Sequence, residues 1–146
     1  EDQKIINEIQ DFKIMNKNKK IAVKFHPISK ISSIDILEMK KINISILEGD
    51  IAQHLTKSNF VVTTGLTTSL IEALIYNCKL IICSDSIYDK LFFKKLKISQ
   101  KSYTFIKKLS KKNNFNLLPL NKIQKNYLIK NFFAEKNEMN IQNLIG

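Results

Sequence analysis

The sequence of 146 residues contains no arginine, only three glycines, two prolines and two cysteines. With so few glycines and prolines, it has no flexible linker that would divide it into separate domains. Two cysteines are too few for a disulfide-stapled scaffold, and no apolar run approaches the roughly 20 residues that cross a bilayer. The composition, with 44% hydrophobic and 25% charged residues, is that of one ordinary globular domain.

The missing arginine also changes how the charge is interpreted. All 24 basic residues are lysines, and they give a formal net charge of +11. Arginine makes most of the bidentate contacts to guanine and phosphate, whereas lysine is a strongly hydrated point charge. We therefore expect no nucleic-acid partner, and only a weak attraction to phosphate groups or anionic lipid.

The cysteines and the first residues of the chain indicate where the protein is located and whether the chain is part of a longer one. Cys78 and Cys83 flank a run of apolar residues and are predicted to be reduced core residues of a cytoplasmic protein. Peripheral contact with the inner face of the cytoplasmic membrane stays an open alternative. Because the chain starts at Glu1 without a methionine or a signal peptide, we expect residues 1–146 to be a single domain from a longer protein.

Hydrophobic periodicity predicts an alternation of strands and helices. Four short apolar runs are predicted to be strands: 21–25, 43–47, 60–63 and 80–83. Helical spacing occurs before and between them, at 4–15, within 29–41, at 50–55 with Asp50 as N-cap, and at 67–76. This order is typical of the α/β class, here a Rossmann-like open parallel sheet with helices on both faces and right-handed crossovers.

The pattern weakens beyond Ser84. Residues 87–96 and 102–109 are predicted to be helical, 117–120 to be a last short strand, and 122–134 to be an amphipathic helix.

Three polar groups follow the first three predicted strands. They are His26-Pro27, Glu48-Gly49-Asp50 and residues 63–69. Ligands of open α/β sheets bind outside the carboxyl ends of the strands. The sequence therefore predicts a ligand site where these groups converge.

The third group has the chemistry of a phosphate site. Gly65 and the hydroxyl residues Thr67, Thr68 and Ser69 precede and open a helix, whose first N–H groups can bind phosphate. Glu72, four residues after Thr68, is a candidate to accept hydrogen bonds from a ribose diol. The alternative is that Thr67 or Thr68 only caps the helix while Glu72 favours its first turns.

The histidines also allow two interpretations. His26 is either a hydrogen-bonded loop residue or, beside a bound phosphate, a cation that stabilises a nucleotide leaving group. His54 is the weaker candidate, because its helical position fits simple packing or exposure.

The order of segments 24–27, 47–51, 58–74 and 79–85 resembles the C-terminal, nucleotide-sugar-binding half of GT-B glycosyltransferases. Within that fold, the His-Pro pair followed by hydroxyl residues is similar to bacterial sialyltransferases, polysialyltransferases and related capsule-sugar transferases that use CMP-activated donors. It is also similar to CDP-glycerol glycerophosphotransferases. The likeness covers residues 21–86.

The resemblance implies an inverting glycosyltransferase without a metal or resident cofactor, making surface polysaccharide or lipooligosaccharide from a nucleotide sugar and a glycan or glycolipid acceptor. It implies that His26, next to Pro27, contacts the donor phosphate or cytidine and acts in catalysis. Donor phosphate would be held by Thr67, Thr68 and Ser69 beyond Gly65, with Glu72 at the ribose and Gly49 in a neighbouring loop.

The chain departs from the family pattern in three ways. It lacks the usual serine pair and the Glu-Gly-Phe-Gly-like run of many UDP-sugar enzymes, and Glu48-Gly49 stands in the wrong order to supply the catalytic base. That base is expected in an N-terminal half outside this chain, without which the chain would bind nucleotide weakly and transfer nothing.

Two alternatives remain. One is a glycerophosphotransferase or UDP-sugar enzyme of similar fold. The other is a noncatalytic, lysine-rich interaction module in which segment 88–97 forms a basic amphipathic helix that docks on an anionic membrane, a nucleic acid or a partner.

Overall fold

The computed structural model describes residues 2–25, 29–63, 68–109 and 115–132. The helices are α1 (Asp2–Met15), α2 (Ser33–Lys41), α3 (Ala52–Leu55), α4 (Thr68–Ile75), α5 (Ile87–Lys95) and α6 (Lys122–Phe132). The strands are β1 (Ile21–Val23), β2 (Ile44–Ile46), β3 (Phe60–Thr63), β4 (Lys79–Cys83) and β5 (Tyr103–Ile106). A 3₁₀ turn at Gln100–Ser102 leads into β5.

The strands form small, open, parallel sheets, which confirms the mixed α/β class. Among the described residues they pair as two sheets, with the orders β1-β2 and β3-β4-β5, instead of the single sheet that we expected. The chain correspondingly divides into two compact units. Unit 1 is Glu1–Ile51 with Lys108–Phe115, and unit 2 is Ala52–Lys107 with Asn116–Gly146.

Unit 1 is built around a small core. Ile6 of α1, Met39 of α2 and Ile44 of β2 are buried together, and half-buried apolar side chains from β1 and the connecting segments surround them. β1 and β2 are paired in register from Ile21 opposite Ile44 to Val23 opposite Ile46. The Ser32 hydroxyl caps α2 by accepting a hydrogen bond from the Asp35 N–H at 3.1 Å. The helical spacing of apolar residues and the Ser32 cap thus account for the helices of unit 1.

Unit 2 is built around β4, the middle strand of its sheet. β3 lies on one side, with Phe60 opposite Lys79, and β5 lies on the other, with Leu80 opposite Tyr103. The three central residues of β4 are all buried: Leu80, Ile81 and Ile82. An interior parallel strand is expected to be apolar on both faces, so this strand was predictable from its composition.

Helices α4, α5 and α6 complete unit 2. α4 packs against β4, α3 and α6. The Phe93 ring of α5 lies 4.8 Å from the Tyr103 ring and 5.6 Å from the Phe105 ring of β5, measured between centroids. This aromatic cluster attaches α5 to the sheet.

Two of the predicted segments also have the wrong secondary structure. Residues 102–109 do not form a helix, because 103–106 is strand β5, whose backbone pairs with the exposed edge of β4. Residues 117–120 do not form a strand: Pro119 has no N–H to donate to a ladder. This segment is attached instead by a 2.8 Å hydrogen bond from the Leu118 N–H to the Lys101 carbonyl.

No helix among the described residues is long and apolar enough to cross a membrane.

Candidate functional site

The carboxyl edge of the unit 2 sheet is the candidate site. Because β3, β4 and β5 are parallel, their last residues lie at the same edge. α4 begins a few residues after Thr63, the last residue of β3, so its N-terminus lies at this edge as well. This is where α/β sheets bind ligands.

The first turn of α4 carries two hydroxyl side chains. Thr68, its first residue, is exposed, and Ser69 is half-buried. The first N–H groups of a helix have no carbonyl partner within it, and the helix dipole makes them a positive end. Predicted contributors Gly65 and Thr67 lie outside the described residues. Backbone N–H groups and hydroxyls therefore share one short stretch that suits an anion.

The body of α4 is held firmly in the core. Five of its eight residues are buried: Leu70, Ile71, Ala73, Leu74 and Ile75. The helix ends in a Schellman motif, in which Asn77 has a φ of 71°. There the Cys78 N–H bonds to the Ala73 carbonyl at 2.9 Å and the Asn77 N–H bonds to the Leu74 carbonyl at 3.2 Å. The position of the N-terminal turn is thus set by packing along the rest of the helix.

Cys78 contributes to this fixed C-terminal end. Its thiol is buried, within 3.4 Å of the Leu55 carbonyl oxygen and 3.5 Å of the Ser58 carbonyl oxygen. Burial raises the thiol pKa from 9.0 to about 11, although nearby Lys79 acts in the opposite direction. Neither cysteine forms a disulfide. Cys78 is therefore a free cysteine of the core, as predicted, whereas Cys83 is only half-buried.

Glu72 lies on α4 one turn after Thr68 and is half-buried. Residues spaced by four on a helix are neighbours on one face. Thr68 and Glu72 therefore lie one turn apart on the same face of α4.

The polar side chains that follow β4 form hydrogen bonds with one another. The Ser84 hydroxyl donates to Asp89 Oδ2 at 2.7 Å and accepts from the Ser86 N–H at 3.1 Å. The Ser86 hydroxyl in turn accepts from the Asp89 N–H at 3.3 Å, which caps α5. These hydrogen bonds fix the start of α5 at this edge of the sheet.

Lys107 is a site residue that the sequence prediction missed. It is exposed and directly follows β5, so it stands at the same carboxyl edge. The helix predicted over 102–109 hid this placement. The signal available was the run Tyr103-Thr104-Phe105-Ile106, whose aromatic and β-branched residues favour a strand.

Of the other predicted site residues, Gly49 and Asp50 belong to unit 1. Gly49 follows β2 and has a φ of 85°, a left-handed conformation that favours glycine. Asp50 is exposed. Because α3 begins at Ala52, Ile51 and not Asp50 precedes the helix, so the prediction that Asp50 is the N-cap is wrong. His26 and Pro27 lie outside the described residues.

His54 is half-buried in α3, with its Nε2 atom 3.4 Å from the side-chain nitrogen of Gln53. Among the described residues, no group of three or more His, Cys, Asp or Glu side chains could hold a metal ion.

Chemically, the carboxyl edge offers a helix N-terminus, two hydroxyls, a neighbouring carboxylate and a lysine. These groups suit the binding of a phosphorylated ligand with hydroxyl groups.

No protein-family model, no curated protein and no solved structure matches this chain.

Proposed function

We propose that this chain is the donor-binding part of a glycosyltransferase, taking a nucleotide sugar through the phosphates at the N-terminus of α4. The observation that carries the proposal is the start of α4, with Thr68 and Ser69 in its first turn, at the carboxyl edge of a parallel sheet. Helix N-termini at such edges bind phosphate through backbone N–H groups.

The neighbouring residues take complementary roles. Lys107 supplies positive charge at the carboxyl edge, where it offsets the negative charge of a diphosphate. Glu72 faces the same side of α4 as Thr68 and accepts hydrogen bonds from ribose hydroxyls. Catalysis by such a site rests on stabilising the departing phosphate, and His26 is the residue to which the sequence resemblance assigns that task.

The GT-B half-fold, the CMP-linked sugar and the role in bacterial surface polysaccharide or lipooligosaccharide synthesis rest on the sequence resemblance. They extend the proposal to a cytoplasmic enzyme that meets a glycan or glycolipid acceptor. A glycerophosphotransferase would bind CDP instead, and a UDP-sugar enzyme would bind UDP.

Calorimetric titration of the chain with CMP, CDP, UDP and GDP in the presence of EDTA tests the proposal. We expect one cytidine nucleotide to bind best, and Thr68→Ala to weaken that binding by roughly 10- to 100-fold, the effect of losing one hydrogen bond to a charged group. His26→Ala should weaken it as well.

Thr56→Ala is the matched control. Thr56 is also exposed, but it follows α3 and precedes β3, at the amino end of that strand. Its hydroxyl donates to the Gln53 carbonyl, three residues earlier, at 3.2 Å. The control should bind nucleotide like the original chain. Equal binding by the Thr68→Ala and original chains, or no binding of any nucleotide, would overturn the α4 site.

A further inference from the structure

Helix α5 exposes apolar side chains on the side opposite its buried residues. Its inner side is formed by Phe93 and by Leu96, which follows the helix, and both are buried. On the outer side, Ile87 is 70% exposed, Tyr88 is 84% exposed and Leu91 is 47% exposed. At about 100° per residue these three lie within one sector of the helix. The helix therefore carries more apolar surface than unit 2 uses in its core.

Lysines lie beside and within this apolar sector. Lys90, Lys94 and Lys95 are all exposed, and by helical geometry Lys90 and Lys94 lie along one side while Lys95 lies one turn beyond Leu91. We call these six residues the α5 outer face: Ile87, Tyr88, Lys90, Leu91, Lys94 and Lys95. Long lysine side chains place their charge in water while their stems cover apolar surface.

Few negative charges oppose these lysines. In the described part of unit 2 the acidic residues are Glu72, Asp85 and Asp89. Asp89 is half-buried and receives the Ser84 hydroxyl at 2.7 Å, so it belongs to the helix cap. Asp85 is exposed and lies before the helix begins. The α5 outer face itself is uniformly positive.

The apolar surface extends beyond α5. The Phe92 ring, 37% exposed, lies 6.5 Å from the Phe132 ring of α6, which is also 37% exposed. The exposed apolar side chains of α5 and α6 thus form one area with lysines beside it.

We propose that the α5 outer face docks on an anionic lipid membrane. A flat, negatively charged surface satisfies both parts of this face: the headgroups pair with the lysines, while the apolar side chains enter the boundary with the acyl chains. A second copy of this chain fits less well, because a two-fold contact through α5 would bring the lysines of both copies together.

The test is cosedimentation of the chain with vesicles of phosphatidylglycerol mixed with phosphatidylcholine, and with vesicles of phosphatidylcholine alone. We expect binding only to the anionic vesicles, weakened by salt. The triple change Lys90→Gln, Lys94→Gln and Lys95→Gln should lower the partition coefficient about a hundredfold, because each lysine near such a surface is worth roughly fivefold. Ile87→Ser with Leu91→Ser should lower it by at least about tenfold.

Matched controls exist for both variants. Lys40→Gln, Lys41→Gln and Lys57→Gln remove the same charge from exposed lysines elsewhere. Ile34→Ser with Leu37→Ser removes two exposed apolar side chains from α2. Both controls should retain most of the binding. Because all of these positions are exposed, circular dichroism should show unchanged folding for every variant.

A second measurement reports insertion directly. The chain has no tryptophan, so Tyr88→Trp places a single indole on the α5 outer face. Its emission should shift to the blue with anionic vesicles and stay unchanged with phosphatidylcholine alone.

Three results would overturn the membrane proposal. The first is no binding to anionic vesicles. The second is equal losses in the α5 lysine variant and its control, which would indicate attraction by net charge alone. The third is self-association that Ile87→Ser with Leu91→Ser abolishes, which would identify a second copy as the occupant. All three are independent of nucleotide binding at α4.

Discussion

The two units differ in how completely their strands are buried. In unit 1, β1 alternates between half-buried and exposed residues, and the three fully enclosed side chains of its core cluster come from three different elements. In unit 2, three consecutive residues of β4 are buried and α4 buries five of its eight residues. Both units use parallel pairing, so the difference lies in packing and not in strand geometry.

This difference indicates which unit provides the rigid framework. A strand with neighbours on both sides and apolar residues on both faces opens only with extensive loss of packing, whereas a two-stranded sheet opens at lower free energy. The candidate phosphate site begins on α4, so it is supported by the better-packed unit.

The largest expected effect is a difference between the two cores in the free energy of unfolding lost on truncating a leucine. Leu80→Ala in β4 should lower the free energy of unfolding of unit 2 by about 2–5 kcal/mol, because it leaves a cavity beside a fully buried side chain. Leu47→Ala, the same change at a half-buried position after β2, should cost less than about 2 kcal/mol. Native-state hydrogen exchange measures the two units separately. Equal losses would contradict the difference in packing.

Alkaline pH should act on unit 2 through Cys78. Its pKa is 9.0 when unfolded and about 11 when folded, so the unfolded chain releases the proton first. Full stability is thus present below pH 9, and about 2–3 kcal/mol is lost as the pH rises from 9 towards 11. Denaturant melts across this range measure the loss.

Cys78→Ala should remove most of that pH-dependent loss, whereas Cys83→Ala should leave it in place. Burial also raises the pKa of Tyr103, which adds a loss of the same sign above pH 10. Unit 1 contains no cysteine. A loss in the Cys78→Ala variant as large as in the original chain would exclude the thiol as its source.

The smallest expected effect is the loss of stability when the asparagine that follows α2 or α4 is replaced. Asn43 after α2 and Asn77 after α4 both have positive φ, at 66° and 71°. Alanine at either position should cost about 1–2 kcal/mol, because its Cβ disfavours the left-handed conformation. Thermal melts should show a slightly larger loss for Asn77→Ala, since Asn77 Oδ1 also accepts from Lys125 Nζ at 2.6 Å.

Glycine provides the control at both helix ends, since it adopts this conformation without strain. Asn43→Gly and Asn77→Gly should retain more stability than the alanine variants. If glycine and alanine were equally costly, the side-chain amides and not the backbone conformation would be responsible.

Much of the fold could be predicted because its signal is local. The predicted strand 60–63 coincides with β3, and the predicted helix 67–76 contains α4 with one further residue at each end. Both segments combine a continuous apolar pattern with clear polar breaks, so neighbouring residues suffice to specify them. The placement of Thr68 and Glu72 on one face of α4 follows from helix periodicity in the same way.

The errors in the predicted secondary structure occurred where the local sequence has only a weak preference for helix or strand. Tyr103-Thr104-Phe105-Ile106 favours a strand by composition, but the run is only four residues long and is flanked by lysines and serines that carry no strand pattern. Its conformation is decided by hydrogen bonding to β4, more than 20 residues earlier in the chain. Lys107 was missed as a member of the carboxyl edge for that reason.

The sequence alone determined the parallel α/β class, the extent of β3, the location of α4 and the burial of Cys78. These features depend on short-range periodicity and on hydrophobicity, which any stretch of chain carries with it. Only the tertiary structure decided that the strands pair in two sheets, that β5 completes the second, and that α5 keeps an apolar face in solvent. Pairing and exposure depend on which distant segments come into contact, and the free energy of those contacts is not encoded in any single segment.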